Sequence, residues 1–127
     1  MKYDNRFAPP APMVSCVFRR LQPSEAVAQA SGLLDTGADI SVVPQAVVER
    51  LGLVPYRHLE AQGYDGTVAD YLTYLVNVEL PDGAISDLEV IALPCADAII
   101  GRDALNHFVI TLDGPALEFE MSHTDPN

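Results

Sequence analysis

Glycine, proline and aspartate recur along this chain and cut it into short runs of β-branched and apolar residues. That spacing favours many short strands over long helices, so a mostly β barrel or sandwich is expected. Residues 13–20 and 26–34 read as strands joined by a turn at 21–25, and the second runs straight into Asp35-Thr36-Gly37. Residues 40–43 form a further short strand; Pro44 opens a helix that Gln45–Leu51 continue and Gly52 stops. Residues 56–61 and 68–80 flank Gly63-Tyr64-Asp65-Gly66-Thr67, where glycine and aspartate suit the positive φ values of a tight hairpin. Pro81-Asp82-Gly83 turns the chain into a strand at 84–93. A short apolar strand at 98–101 precedes a brief helix at 102–107, and residues 108–112 and 117–121 close the chain as a hairpin. One domain is read at 13–121, with a flexible Pro-rich arm before it (1–12) and a polar tail after it (122–127).

The 127 residues suit a single core that needs neither metal nor disulfide. Hydrophobic residues make up 49% and charged ones 20%, an ordinary globular balance that leaves disorder only for the ends. The charge is less ordinary: 18 Asp and Glu against 7 Lys and Arg give a formal net charge of -11. Such a field repels phosphate backbones and anionic lipid, so neither nucleic acid nor membrane is an expected partner. Cys16 and Cys95 stand far from each other and from any His cluster, which argues for reduced thiols and against zinc. Lys2 and Arg6 are followed by Ala-Pro-Pro-Ala-Pro instead of an apolar signal segment, and no apolar run of about 20 residues suggests a membrane span. A cytoplasmic location is the resulting expectation.

Asp35 is the residue with the most chemistry in its surroundings. It follows a strongly apolar strand, where a lone carboxylate is costly unless it is hydrogen-bonded or neutralised. Thr36 can orient the turn through its hydroxyl, and Gly37 permits a tight backbone that brings an N–H to the carboxylate. Three residues alone are equally compatible with an ordinary acidic turn.

The wider run decides between these readings. Ala30-Ser31-Gly32-Leu33-Leu34-Asp35-Thr36-Gly37-Ala38-Asp39-Ile40-Ser41-Val42-Val43-Pro44 resembles the active-site segment of the retropepsin-like aspartic proteases. Ala98-Ile99-Ile100-Gly101-Arg102-Asp103-Ala104-Leu105 resembles that family's second signature, and both fit in order and separation over residues 13–121. The resemblance implies the acid-protease fold, a closed β-barrel with one or two short helices. It implies that Asp35 is the catalytic aspartate, that the Thr36 hydroxyl braces the paired loops across a subunit boundary, and that Gly37 lies beside the aspartate pair. Asp39 and Arg102 would pair to buttress the site, and Gly101 would lie beneath the active loop. Gly63, Tyr64, Asp65, Gly66 and Thr67 would form the flap over a bound peptide. Only one Asp-Thr-Gly is present, so an enzyme of this class must be a homodimer, acting on a peptide or protein substrate without cofactor or metal.

Two departures qualify what is carried over. The flap is less glycine-rich than in retroviral members and bears an acid at its tip, and Pro9, Pro10 and Pro12 would interrupt a terminal strand ladder. An inactive peptide-binding or protein-interaction module is therefore the competing function. Asp103 reads as a helix-capping acid and not as a second catalytic carboxylate. His58, His107 and His123 are too scattered for a ligand set, and no serine-nucleophile motif accompanies them.

Overall fold

The structure, a computed structural model, describes residues 1–63 and 65–123. Strand β1 (Met13–Arg19) pairs antiparallel with β2 (Val27–Leu34), because Val14, Cys16 and Phe18 alternate inward against the core while their neighbours face out. Strand β3 (Val42–Pro44) leads directly into helix α1 (Gln45–Leu51), which buries Val47, Val48 and Leu51. Gly52 ends the helix at φ +61°; its N–H reaches the Glu49 carbonyl at 3.2 Å while Leu53 N–H reaches Val48 at 3.1 Å, the Schellman pattern.

Strand β4 (Arg57–Gln62) and the long β5 (Val68–Leu80) form the hairpin, and β6 (Gly83–Leu93) returns alongside β5. Strand β7 (Ala98–Ile100) and helix α2 (Arg102–Leu105) follow, then β8 (Phe108–Asp113) and β9 (Glu118–His123). The main sheet runs β1-β2-β7-β3-β6-β5-β4, and Val17–Arg19 of β1 also pair with Asn77–Glu79 of β5. That pairing closes six strands into a barrel and leaves β4 projecting from β5. The expected mostly β, closed-barrel fold with two short helices is what the chain adopts. Its interior is filled by Phe18, Leu51, Val76, Val78, Val90 and Ile100, with Phe119 supplied by β9.

Several boundaries differ from the sequence expectation. The strand expected at 40–43 starts only at Val42, because Ala38 and Ser41 spend their hydrogen bonds on α2 and on the residue before it. Helix α2 ends at Leu105 where 107 was expected, although the Asn106 and His107 amides still bond back into its turn. Strand β9 continues past 121 to His123, whose N–H donates to Asp82 Oδ2 at 2.9 Å.

Of the stretch expected as a flexible arm, residues 1–3 lie against the β8–β9 hairpin. Lys2 bridges Glu118, Tyr3 N–H reaches the Leu117 carbonyl at 2.9 Å, and the Tyr3 ring tilts against Phe119 at 5.9 Å. The prolines do not prevent this, since the ladder uses residues ahead of Pro9. Among the described residues no helix is long and apolar enough to cross a membrane. Cys16 is buried and Cys95 exposed, both as free thiols.

Candidate active site

Asp35 leaves the end of β2 at the point where β2 and β7 run parallel, with Leu33 opposite Ile99 and Leu34 opposite Ile100. Its own N–H continues that ladder to the Ile100 carbonyl at 2.9 Å, so the backbone entering the turn is fixed. Its side chain is half-buried, and Gly37 N–H donates to Asp35 Oδ1 at 2.9 Å. A Cβ on Gly37 would stand 3.1 Å from that same oxygen. Thr36 and Gly37 are exposed on the turn.

The second signature lies beneath this turn. Arg102 N–H donates to the Ala38 carbonyl at 2.8 Å, and its guanidinium donates to the Thr36 carbonyl at 2.6 Å while pairing with Asp39. Gly101 is required by close approach: a Cβ there would lie 2.8 Å from the Ala38 carbonyl oxygen. Gly32 is similarly constrained, since its Cβ would come within 2.8 Å of both Cys16 Sγ and Ile100 Cγ1.

Asp103 stands in the first turn of α2, whose N-cap position is Gly101, and its Oδ1 accepts the Ala104 N–H at 2.9 Å, as expected of an acid at a helix start. Its carboxylate reaches across to Ser41, taking the hydroxyl on Oδ1 at 2.7 Å and the backbone N–H on Oδ2 at 2.9 Å. Ser41 was not singled out from sequence. Its only signal was a lone hydroxyl inside the apolar run Ile40-Ser41-Val42-Val43.

Above the turn stands the β4–β5 hairpin. Gly63 N–H donates to the Thr67 carbonyl at 2.6 Å, Gly66 N–H donates to the Gly63 carbonyl at 3.0 Å, and Gly66 adopts φ +87°. The Thr67 hydroxyl and N–H both donate to Asp65 Oδ1, which holds the Asp65 carboxyl below its ordinary range. Tyr64, also expected in the flap, lies outside the described residues. At the base of the hairpin Arg57 forks onto Glu89 at 2.7 and 2.8 Å, and the buried Thr73 hydroxyl donates to the same carboxylate at 2.7 Å.

Between turn and hairpin opens a cleft of about 510 Å³, lined by Gly37, Ala38, Asp39 and Ile40 below and by residues 59–63 above. Among the described residues no cluster of His, Cys, Asp or Glu is arranged to hold a metal. A backbone-braced carboxylate beside a peptide-sized cleft with a hairpin over it is suited to acid–base chemistry on an extended chain.

Residues 27–107 match the family of gag-polyprotein putative aspartyl proteases, well over half of the chain and inclusive of both signatures. The chain belongs to the retropepsin-like aspartic proteases. Solved structures agree on the fold of this retropepsin-like chain. The foamy viral protease–reverse transcriptase in complex with an RNA/DNA hybrid superimposes with a TM-score of 0.57 at 16% identity, over 76% of this chain and 12% of that one. The EIAV protease complexed with the inhibitor HBY-793 gives 0.55 at 23% identity, over 76% and 86% of the two chains. The retroviral protease-like domain of Ddi1 from Leishmania major gives 0.53 at 18%, over 92% and 96%. The present chain thus spans a small part of the foamy viral polypeptide and nearly all of the Ddi1 domain. Comparison with curated proteins returned no match.

Proposed function

We propose that this protein is an aspartic endopeptidase in which Asp35 from each of two protomers forms the catalytic dyad. The observation that carries this reading is Asp35: a half-buried carboxylate, fixed by Gly37 N–H, on the loop whose following residues Gly37, Ala38, Asp39 and Ile40 line an open cleft under a hairpin. Two carboxylates about 3 Å apart cannot both ionise cheaply, so the pair shares one proton. The ionised member takes a proton from water as that water attacks the peptide carbonyl, and the protonated member donates to the developing oxyanion. Neither a metal nor a covalent intermediate is needed.

A second copy is supported by the single Asp-Thr-Gly and by the outer edge of β8, which pairs with no strand among the described residues. That edge exposes Val109 and Leu112 and carries no proline, lysine or bulge to protect it.

The test is cleavage of an unbiased peptide mixture, followed by mass spectrometry from acid to neutral pH, for the full chain and for Asp35→Asn. Sedimentation of both proteins runs in parallel. Cleavage by the dimeric wild type that disappears in Asp35→Asn is expected. Undiminished cleavage in the variant overturns the reading, and a monomer that binds peptides without cutting them makes the chain an interaction module.

A further inference from the structure

We infer that Asp103, acting through Ser41, is a positioning residue for the Asp35 carboxylate, an inference that rests on the endopeptidase reading. Ser41 is 1% exposed, and all its polar atoms are engaged. Its hydroxyl oxygen accepts from Gly101 N–H at 3.0 Å and donates to Asp103 Oδ1 at 2.7 Å. Its N–H donates to Asp103 Oδ2 at 2.9 Å, and its carbonyl accepts from Ile91 N–H at 3.1 Å. Asp103 Oδ1 also takes Ala104 N–H at 2.9 Å. Every neighbour of this carboxylate is a donor.

An amide does not fit among these donors. In Asn the NH₂ must replace one oxygen and would then face either Ser41 N–H or Ala104 N–H, donor against donor.

The loop from Asp35 to Ser41 is held along its length by residues 100–104. Its front is the Asp35 N–H bond to Ile100 at 2.9 Å, and its middle is the Ala38 carbonyl bonded to Arg102 N–H at 2.8 Å. Its rear is Ser41 on Asp103. With the Asp103 bonds lost, the rear keeps the Ser41 carbonyl on Ile91 N–H and the Arg102–Asp39 pair, a looser hold through which a shift at residues 39–41 can pass by Ala38 to Gly37. Gly37 N–H is the donor on Asp35 Oδ1, so the shift passes directly to the reacting group.

The experiment uses the full chain and the variants Asp103→Asn and Ser41→Ala, with two readouts. The first is kcat and KM on a cleaved peptide; kcat should fall by about 10- to 100-fold with KM little changed, the effect of a misplaced reacting group. The second is the Gly37 amide resonance and its pH titration, which reports Asp35 without requiring turnover. A displaced Gly37 signal in either folded variant supports the positioning role, including in a protein that cleaves nothing, where the endopeptidase reading alone would fail. A Gly37 signal and titration identical to wild type in both variants overturns it, as does an unchanged kcat.

Discussion

The Arg102 guanidinium donates to the backbone carbonyl of Thr36 at 2.6 Å and pairs with Asp39 on the far side of the same turn. One side chain therefore grips the Asp35 loop at two points, while the Arg102 backbone N–H holds Ala38 between them. A planar fork is pre-organised to reach both acceptors at once, whereas an ammonium is a point charge on a flexible stem.

Arg102→Lys should accordingly behave as a loss. The pair is largely solvent-exposed, which limits its worth to about 1 kcal/mol. A fall in Tm of about 4 °C is expected by calorimetry. Peptide cleavage should fall further than stability does, because the Thr36–Asp39 turn then loses its fixed shape. An unchanged Tm and rate would show that the Asp35 turn holds its geometry without the fork.

Gly101→Ala tests close approach. The new Cβ would meet the Ala38 carbonyl oxygen at 2.8 Å and the Ile40 backbone at 3.1 Å, and no flexible side chain is there to yield. A destabilisation of about 1–3 kcal/mol in denaturant unfolding is expected. Gly52→Ala makes a useful contrast, since its Cβ meets nothing and only its φ of +61° resists substitution.

The base of the hairpin should respond to acid. The Glu89 carboxyl is held below its ordinary value of 4.5, first by the Arg57 hydrogen bond and also by the Thr73 hydroxyl. A carboxylate lowered in the folded state contributes stability that is present above pH 4.5 and lost as pH falls through its folded value. Glu89→Gln should therefore melt below wild type at neutral pH, and the gap should close as pH drops below 4.5. A gap that stays constant through acid pH would remove the charge from this account.

The two thiols should differ in reactivity. Burial pushes Cys16 up to about 12. Cys95 is also raised, by partial burial and then by Asp97, but it stands at the surface. An alkylating reagent at mildly alkaline pH should add once to the native protein and twice after unfolding, read by intact mass. Rapid double addition to the native chain would show that the Cys16 side of the core opens.

Local chemistry carried most of what could be read in advance. Leu33-Leu34 before Asp35 and Ile99-Ile100 before Gly101 announced two apolar strands, each with a special backbone position after it. The barrel sets these pairs side by side in one parallel ladder. Gly52 marked a helix end through its tolerance of positive φ, and the strand Val68–Leu80 was legible from its composition. Asp39 and Arg102 could be linked from sequence only through family resemblance, because nothing local joins residues 63 positions apart.

The succession of strands and helices along the chain was thus set by short-range rules, alternation and turn residues, while Asp35 was singled out by the resemblance of its wider run to the retropepsin-like family. Tertiary structure alone decided that Asp103 also reaches Ser41 from its own helix, that β1 meets β5 to close the barrel, and that residues 1–3 dock beside β9. A carboxylate can accept from whatever donor is brought within hydrogen-bond distance, and a strand edge can pair with whichever strand the barrel presents. Those partners exist only once distant segments have packed together.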